Sequence, residues 1–348
     1  MSEQGRRLRE VGENPLVARL RALAGERPGE AVVVGPGDDT AALRAPVDRL
    51  LLFTCDMMVE GTHFRRDWAT PEQIGWKAMA QNLSDIAAMG GQPLAALCSL
   101  GAPGEMEQAA LEGISRGLVA AASKYGAALV GGDLVGSRLG LVVDVALVGW
   151  VEPELLLRRR GARPGDAILV TGHLGASGAG LAALVAGIQE EGDPDLQAAL
   201  QAHHQPRPRL LEGRAIARTR RATAMMDLSD GIADDLPRLC AESGVGAWVE
   251  ASRIPVAPCC HALAGRLNQD PLDWALQGGE DYELLFTCSP DAVGEIAAAV
   301  AAAGGVPISC IGTIIDVEDV GLVDSEGRER PLGTGFAHFG PTGQEGAD

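Results

Sequence analysis

Apolar runs of strand length in this chain end repeatedly on an acidic residue, most of them beside glycine. The stretch MDLSDGIADDLPRLC, residues 226–240, sets four carboxylates within nine positions before an apolar, helix-like run. VVVGPGDDTAAL (32–43) passes from an apolar strand through Gly-Pro-Gly to Asp38 and Asp39. FTCDMMVEGTHF (53–64) carries Asp56 at the end of an apolar run, with His63 seven residues on, and ALVGGDLVGS (128–137) repeats strand, glycines and then Asp133. WALQGGEDYELLF (274–286) places Glu280, Asp281 and Glu283 between two glycines and a strand, whereas AMAQNLSDIAAMGG (78–91) sets Asp85 inside a largely apolar helix. Short apolar strands alternating with longer helical stretches exclude a helical bundle and a β-sandwich and leave an α/β or α+β architecture.

The alternation falls into two sets. Strands are expected at 31–34, 49–55, 93–100, 127–130 and 140–150, with helices at 71–89 and 105–124; Thr70 is the N-cap of the first helix and Pro71 its first residue. RRRGARPGD, near 158–166, then interrupts the apolar pattern with arginines and a Pro-Gly turn. Beyond it, strands are expected at 167–172, 222–227 and 282–288, and GHLGASGAGLAALVAG reads as a turn entering a helix. The boundary is placed near 150, giving domains at 1–150 and 151–340 and a disordered tail at 341–348.

Acids so concentrated require an opposite charge. The chain has only two lysines, Lys77 and Lys124, and Arg238 lies three or more positions past the acids of 227–235. A metal ion is the remaining candidate: paired carboxylates after glycine suit Mg²⁺, which takes one or two carboxylates together with water and phosphate oxygens. Taken singly, Asp38 and Asp39 have a plainer reading as turn residues and Asp56 as a helix cap, whereas Asp85 in its apolar helix asks for a cation. Asp234 and Asp235 are read as the solvated start of a helix, whose dipole favours acids there. Repetition from both halves of the chain outweighs those readings and describes a multi-metal site for phosphates. A Walker-type P-loop, a dinucleotide-binding G-x-G-x-x-G after a strand, a calcium loop and the H-R-D and D-F-G kinase motifs are all absent. A formal net charge of −18 without a long basic run argues against nucleic acid or an anionic membrane as partner. No apolar leader or long apolar span is seen, and seven cysteines without a C-x-x-C pair suggest reduced thiols, so a cytoplasmic chain is expected.

GPGDDTAAL, DMMVEGTHF, NLSDIAAMGG, GGDLVGS, RPGDAILVTGHLGASGAGLA, MDLSDGIADDL and WALQGGEDYELLFT resemble, in order and spacing, the thiamine-monophosphate kinase family of the PurM-like (aminoimidazole ribonucleotide synthetase-like) superfamily. EGTHF and GGEDYEL point to this family within it. The resemblance implies two PurM-like α/β domains, a homodimer paired through N-terminal strands, and a cleft for ATP and several Mg²⁺ ions. It further implies metal ligands at Asp39, Asp56, Asp85, Asp133, Asp227 and Asp230, with Thr54 and Cys55 near one ion. Gly132, Asp133, Arg159 and Ser229 would contact ATP, and His63, Glu280 and Phe336 the thiamine phosphate. Cys55 stands where the family has threonine or serine, leaving its backbone carbonyl as an alternative ligand, and Phe336 replaces a tyrosine. A slip of one residue would make Arg158 or Arg160 the ATP contact. The implied reaction is phosphoryl transfer from ATP to thiamine monophosphate with no covalent or general-base residue. Another PurM-like synthetase, of the selenophosphate or aminoimidazole ribonucleotide type, is the alternative.

Overall fold

The computed structural model describes residues 6–11, 13–25, 30–34, 41–188, 192–324 and 326–333; Asp39 and Phe336 lie outside the described residues, as does the tail at 341–348. The chain divides into two compact units, one of residues 1–157, 204–220 and 302–305, the other of 158–203, 221–301 and 306–348.

In the first unit, α1 (Leu8–Val11) and α2 (Glu13–Ala24) precede the small antiparallel pair β1 (Val32–Val34) and β2 (Ala42–Leu43). Then come β3 (Leu50–Val59), α3 (Pro71–Ala88), β4 (Gln92–Pro103), α4 (Gln108–Lys124), β5 (Ala128–Ser137) and β6 (Val142–Val151). The four long strands form one sheet in the order β3-β6-β4-β5, in which only β4 and β5 run parallel. α3 begins as expected: the Thr70 side chain accepts the Gln73 N–H, Gln73 answers on the Thr70 N–H, and Pro71 opens the first turn. α3 and α4 bury Met79, Leu83, Ile86, Leu111, Ile114 and Leu118, each contributing about 1.5–3 kcal/mol of apolar burial.

β6 shows what the sheet faces do. Val143, Val145, Leu147 and Val151 are buried on its core side. The opposite face carries exposed apolar side chains, Leu51, Phe53, Met57, Leu97 and Val135 among them. Both β3 and β5 run on past their expected ends at 55 and 130, so Asp56 and Asp133 stand within strands and not after them. Pairing explains this: β3 holds register with β6 from Leu50↔Val151 to Val59↔Val142, and β5 with β4 as far as Pro103↔Ser137.

The second unit continues with β7 (Ala167–Thr171), α5 (Ala176–Val185) and α6 (Pro194–His204). α7 (Leu210–Thr219) returns to the first unit and packs on α3, and its buried Arg214 donates to the carboxylate of Glu152 and the carbonyl of Gly90. β8 (Ala222–Asp227), α8 (Ile232–Ser243), β9 (Gly246–Glu250), α9 (Pro258–Leu267), α10 (Pro271–Gln277), β10 (Leu284–Cys288), α11 (Val293–Ala302), β11 (Ile308–Ile315), β12 (Val320–Val323) and β13 (Glu329–Pro331) follow. Their sheet has the order β13-β12-β9-β11-β7-β10-β8. β7 and β10 are buried at every position, which is why both read as unbroken apolar runs. Ile168, Val170, Met226, Leu236, Leu239 and Leu285 join in one core beneath the loops that carry the acids.

Candidate active site

In the first unit, β3 directs Thr54, Asp56 and buried Met58 to the core side of the sheet, toward α3. The Thr54 hydroxyl donates to Asp85 Oδ2. Burial, and after it the neighbouring Asp85 carboxylate, lifts Asp56 to about 7. The sequence brings two like charges together in a poorly solvated place, and a hard cation relieves that repulsion. Among the described residues no group of three or more His, Cys, Asp or Glu is gathered around a metal position. An oxygen-only pair such as Asp56 and Asp85 nonetheless has the donor chemistry of Mg²⁺, which completes its octahedron with water and phosphate oxygens.

Cys55 points to the opposite, open face, where its thiol donates to Asp144 Oδ1 at 3.4 Å. Burial and that bond both push the thiol pKa up. Asp133 also stands on the open face: Met57, Asp144, Ser99 and Asp133 form one cross-strand row. The structure therefore brings Asp56, Asp85 and Thr54 together and holds Asp133 on the other side of the sheet. Asp144, absent from the residues singled out by motif, has a signal of its own, an acid alone in the apolar strand VVDVALV. Gly132 has φ +150, and a Cβ there would lie 1.7 Å from the Cys98 carbonyl oxygen, so β4 and β5 can approach only at glycine. In the turn after β3, His63 Nδ1 accepts the Val59 N–H at 3.0 Å, which places the ring proton on Nε2. Buried Lys77 donates to the His63 carbonyl at 3.2 Å.

Three loops of the second unit interlock. Asp227 ends β8 nearly fully buried. The next residues are tied to the segment before β10: Leu228 donates to the Glu283 carbonyl, Tyr282 to that of Leu228, and Glu280 to that of Ser229 at 2.7 Å. Gly231 has φ +99 and lies against the carbonyls of Leu276 and Gly278, so a side chain would part the loops. Glu280 and Tyr282, neither of them glycine, have φ of +65 and +52, a backbone strain that these bonds hold in place. Asp281 accepts the N–H groups of Gly175 and Ser177, and burial lifts its carboxyl to about 7 against their pull. His203 Nδ1 lies 3.1 Å from Ser177 Oγ and 3.3 Å from Glu280 Oε2.

Asp235 is the clearest correction. Expected in solvent, it is completely buried and accepts three backbone N–H groups of the 229–231 loop. Arg238, too distant in sequence to be expected as a partner, pairs with both Asp230 and Asp235: one helical turn brings it over Asp235, whose bond to the Asp230 N–H holds that residue beside it. Arg158, Arg159 and Arg160 all expose their side chains, while the carbonyls of Arg158 and Arg159 accept from Met225 N–H and Ser243 Oγ.

Two α/β units with acids presented from strands and glycine loops define a class of protein. The N-terminal domain of AIR synthase related proteins matches residues 37–151, and their C-terminal domain matches residues 163–325. A thiamine-monophosphate kinase of Salmonella typhimurium strain LT2 is 38% identical over 84% of this chain and 87% of its own length. The crystal structure of thiamine-monophosphate kinase from Stenotrophomonas maltophilia K279a superposes with a TM-score of 0.80 at 33% identity, covering 89% of this chain and 96% of that one. The structure of AaThiL complexed with AMPPCP and TMP gives 0.75 at 32% identity over 96% and 99% of the two chains. The chain belongs to the thiamine-monophosphate kinase family, within the AIR synthase related proteins.

Proposed function

We propose that this chain transfers the terminal phosphoryl group of ATP to thiamine monophosphate, giving ADP and thiamine diphosphate. The observation that carries the reading is the likeness, along nearly the whole chain, to a protein complexed with AMPPCP and TMP. Both reactants are anions, and at an effective dielectric near 20 each unit pair about 4 Å apart repels by ~4 kcal/mol. Mg²⁺ bound by the carboxylates supplies the charge that offsets this repulsion. In this reading Asp39, Asp56, Asp85, Asp227 and Asp230, with Thr54 and the carbonyl of Cys55, would be ligands, and Asp133, on the open face of the first sheet, would serve an ion apart from that of Asp56 and Asp85. Gly132, Ser229 and one arginine of 158–160 hold ATP. His63 donates from Nε2 to the acceptor, and Glu280, kept in place by His203 and its own strained backbone, orients the thiamine with Phe336.

No general base is required. The second ionisation of a phosphate monoester lies near pH ~6, so at neutral pH the attacking oxygen has no proton to lose. The chain's contribution is positioning and charge. The unit built mainly from residues 1–150 pairs with a second copy, for which the exposed apolar face of the β3-β6-β4-β5 sheet provides a surface, and most of residues 151–340, without α7, form the other. No helix among the described residues is long and apolar enough to cross a membrane, and a cytoplasmic place suits an enzyme of ATP and a phosphorylated vitamin. Purified protein with Mg²⁺ and ATP should convert thiamine monophosphate and leave thiamine, selenide and the aminoimidazole ribonucleotide precursor untouched. Turnover of one of the others in its place would overturn the assignment, and rapid quench with labelled ATP should leave no label on the protein.

A further inference from the structure

The buried Asp235 performs no part of the reaction just described, yet it touches every residue of the loop that would. Its Oδ2 accepts the N–H groups of Ser229, Asp230 and Gly231 at 3.0, 2.9 and 3.1 Å. Its Oδ1 accepts Arg238 Nη1 at 3.0 Å, and the same nitrogen donates to Asp230 Oδ2. Charge-assisted bonds of this kind are about twice as strong as neutral ones. Three amides converging on one oxygen leave the loop a single conformation, in which Ser229 and Asp230 remain half-buried while Asp235 has no exposure. The carbonyl of Ser229 in turn receives the Glu280 N–H. One carboxylate thus sets the backbone of a loop to which Glu280 is also bonded.

We propose that Asp235 is a positioning residue: it clamps the 229–231 loop from beneath, and through Arg238 it orients the Asp230 carboxylate, so that nucleotide and cation meet a preset site. The proposal rests on the function assigned above, in which Ser229 contacts ATP and Asp230 a metal. A partner held behind a ligand is worth about 10- to 100-fold in affinity or activity. A buried carboxylate with three amide donors is also a folding element, so its kinetic effect must be separated from a loss of stability.

The test uses the full chain with Asp235→Ala, Asp235→Asn and, as a control destabilised in the same helix, Leu239→Ala. Hydrogen exchange of a peptide spanning 228–232 is measured without nucleotide, and KM for ATP is measured at fixed Mg²⁺. Asp235→Ala should exchange about tenfold faster there and raise the ATP KM about tenfold. Asp235→Asn, which keeps an acceptor oxygen, should recover most of both. Leu239→Ala should lose thermal stability without the KM change. A normal ATP KM in Asp235→Ala, or the same rise in Leu239→Ala, overturns the proposal. If the alanine variant does not fold, Asp235→Asn decides, with smaller rises in both readouts supporting the clamp and wild-type values in both refuting it. Should the wild type fail to act on thiamine monophosphate, the assigned reaction falls, and exchange together with calorimetric binding of Mg²⁺-ATP still decides the clamp.

Discussion

Asp56 of β3 and Asp85 of α3 are set against each other on the core side of the first sheet, and their proximity adds to burial in lifting Asp56 to about 7. Such a pair opposes folding until a cation joins it. Asp56→Asn should therefore raise the melting temperature of the protein in EDTA by a few degrees, the scale of about 1 kcal/mol. The same change should lower Mg²⁺-dependent turnover by about a hundredfold or more. Thermal melts with and without Mg²⁺, beside the kinase assay, check both halves; a variant both less stable in EDTA and fully active would contradict the pairing.

His63 accepts the Val59 N–H on Nδ1, so any hydrogen bond it donates to the acceptor comes from Nε2. Replacing it with alanine should raise KM for thiamine monophosphate about tenfold, the worth of a hydrogen bond to a charged group, with kcat changed much less. Steady-state kinetics over an acceptor series reads this directly. An unchanged KM would remove His63 from the acceptor's surroundings.

The carboxyl of Asp281 is raised by burial to about 7. The folded state then holds a proton that the unfolded chain releases near pH ~3.9, so this group's stabilisation is greatest at low pH and is lost as pH rises toward 7. Wild type should lose stability relative to Asp281→Asn between about pH 4 and 7, and the difference should level off above that range. Paired denaturant titrations across the interval would show it, and a flat difference would mean that Asp281 stays ionised throughout.

Phe53 is 74% exposed amid the apolar face of the first sheet. A charge placed there should prevent pairing of that face with a second copy, since large exposed apolar patches mark interaction sites. Light scattering should give a dimer for the wild type and a monomer for Phe53→Glu. A wild-type monomer at micromolar concentration would exclude the interface.

Several elements are legible in the local sequence. Strands at 167–171 and 222–227 and the capped helix from Pro71 follow from local patterns, because apolar runs, an N-cap and a proline at the first helical position act through neighbours in sequence. The acids of the candidate site are legible too, as carboxylates recurring beside glycine. Where the strands end is not. Asp56 and Asp133 stand within β3 and β5 because β6 and β4 supply hydrogen bonds across the whole length.

Two α/β sets and acids suited to metal and phosphate can be read without coordinates, since composition, period and motif order are properties of the chain alone. Which acids meet depends on the packed fold. It placed Asp133 on the face opposite Asp56, showed Asp144 beside Cys55, and turned Asp235 from an expected solvated helix start into a buried clamp reached by Arg238. The reason is physical: a strand's register decides the face, and a carboxylate at the start of a helix can face water or fold back on its own loop. Unpaired amides at Ser229, Asp230 and Gly231 drew Asp235 inward, and nothing local to residues 234 and 235 could reveal that.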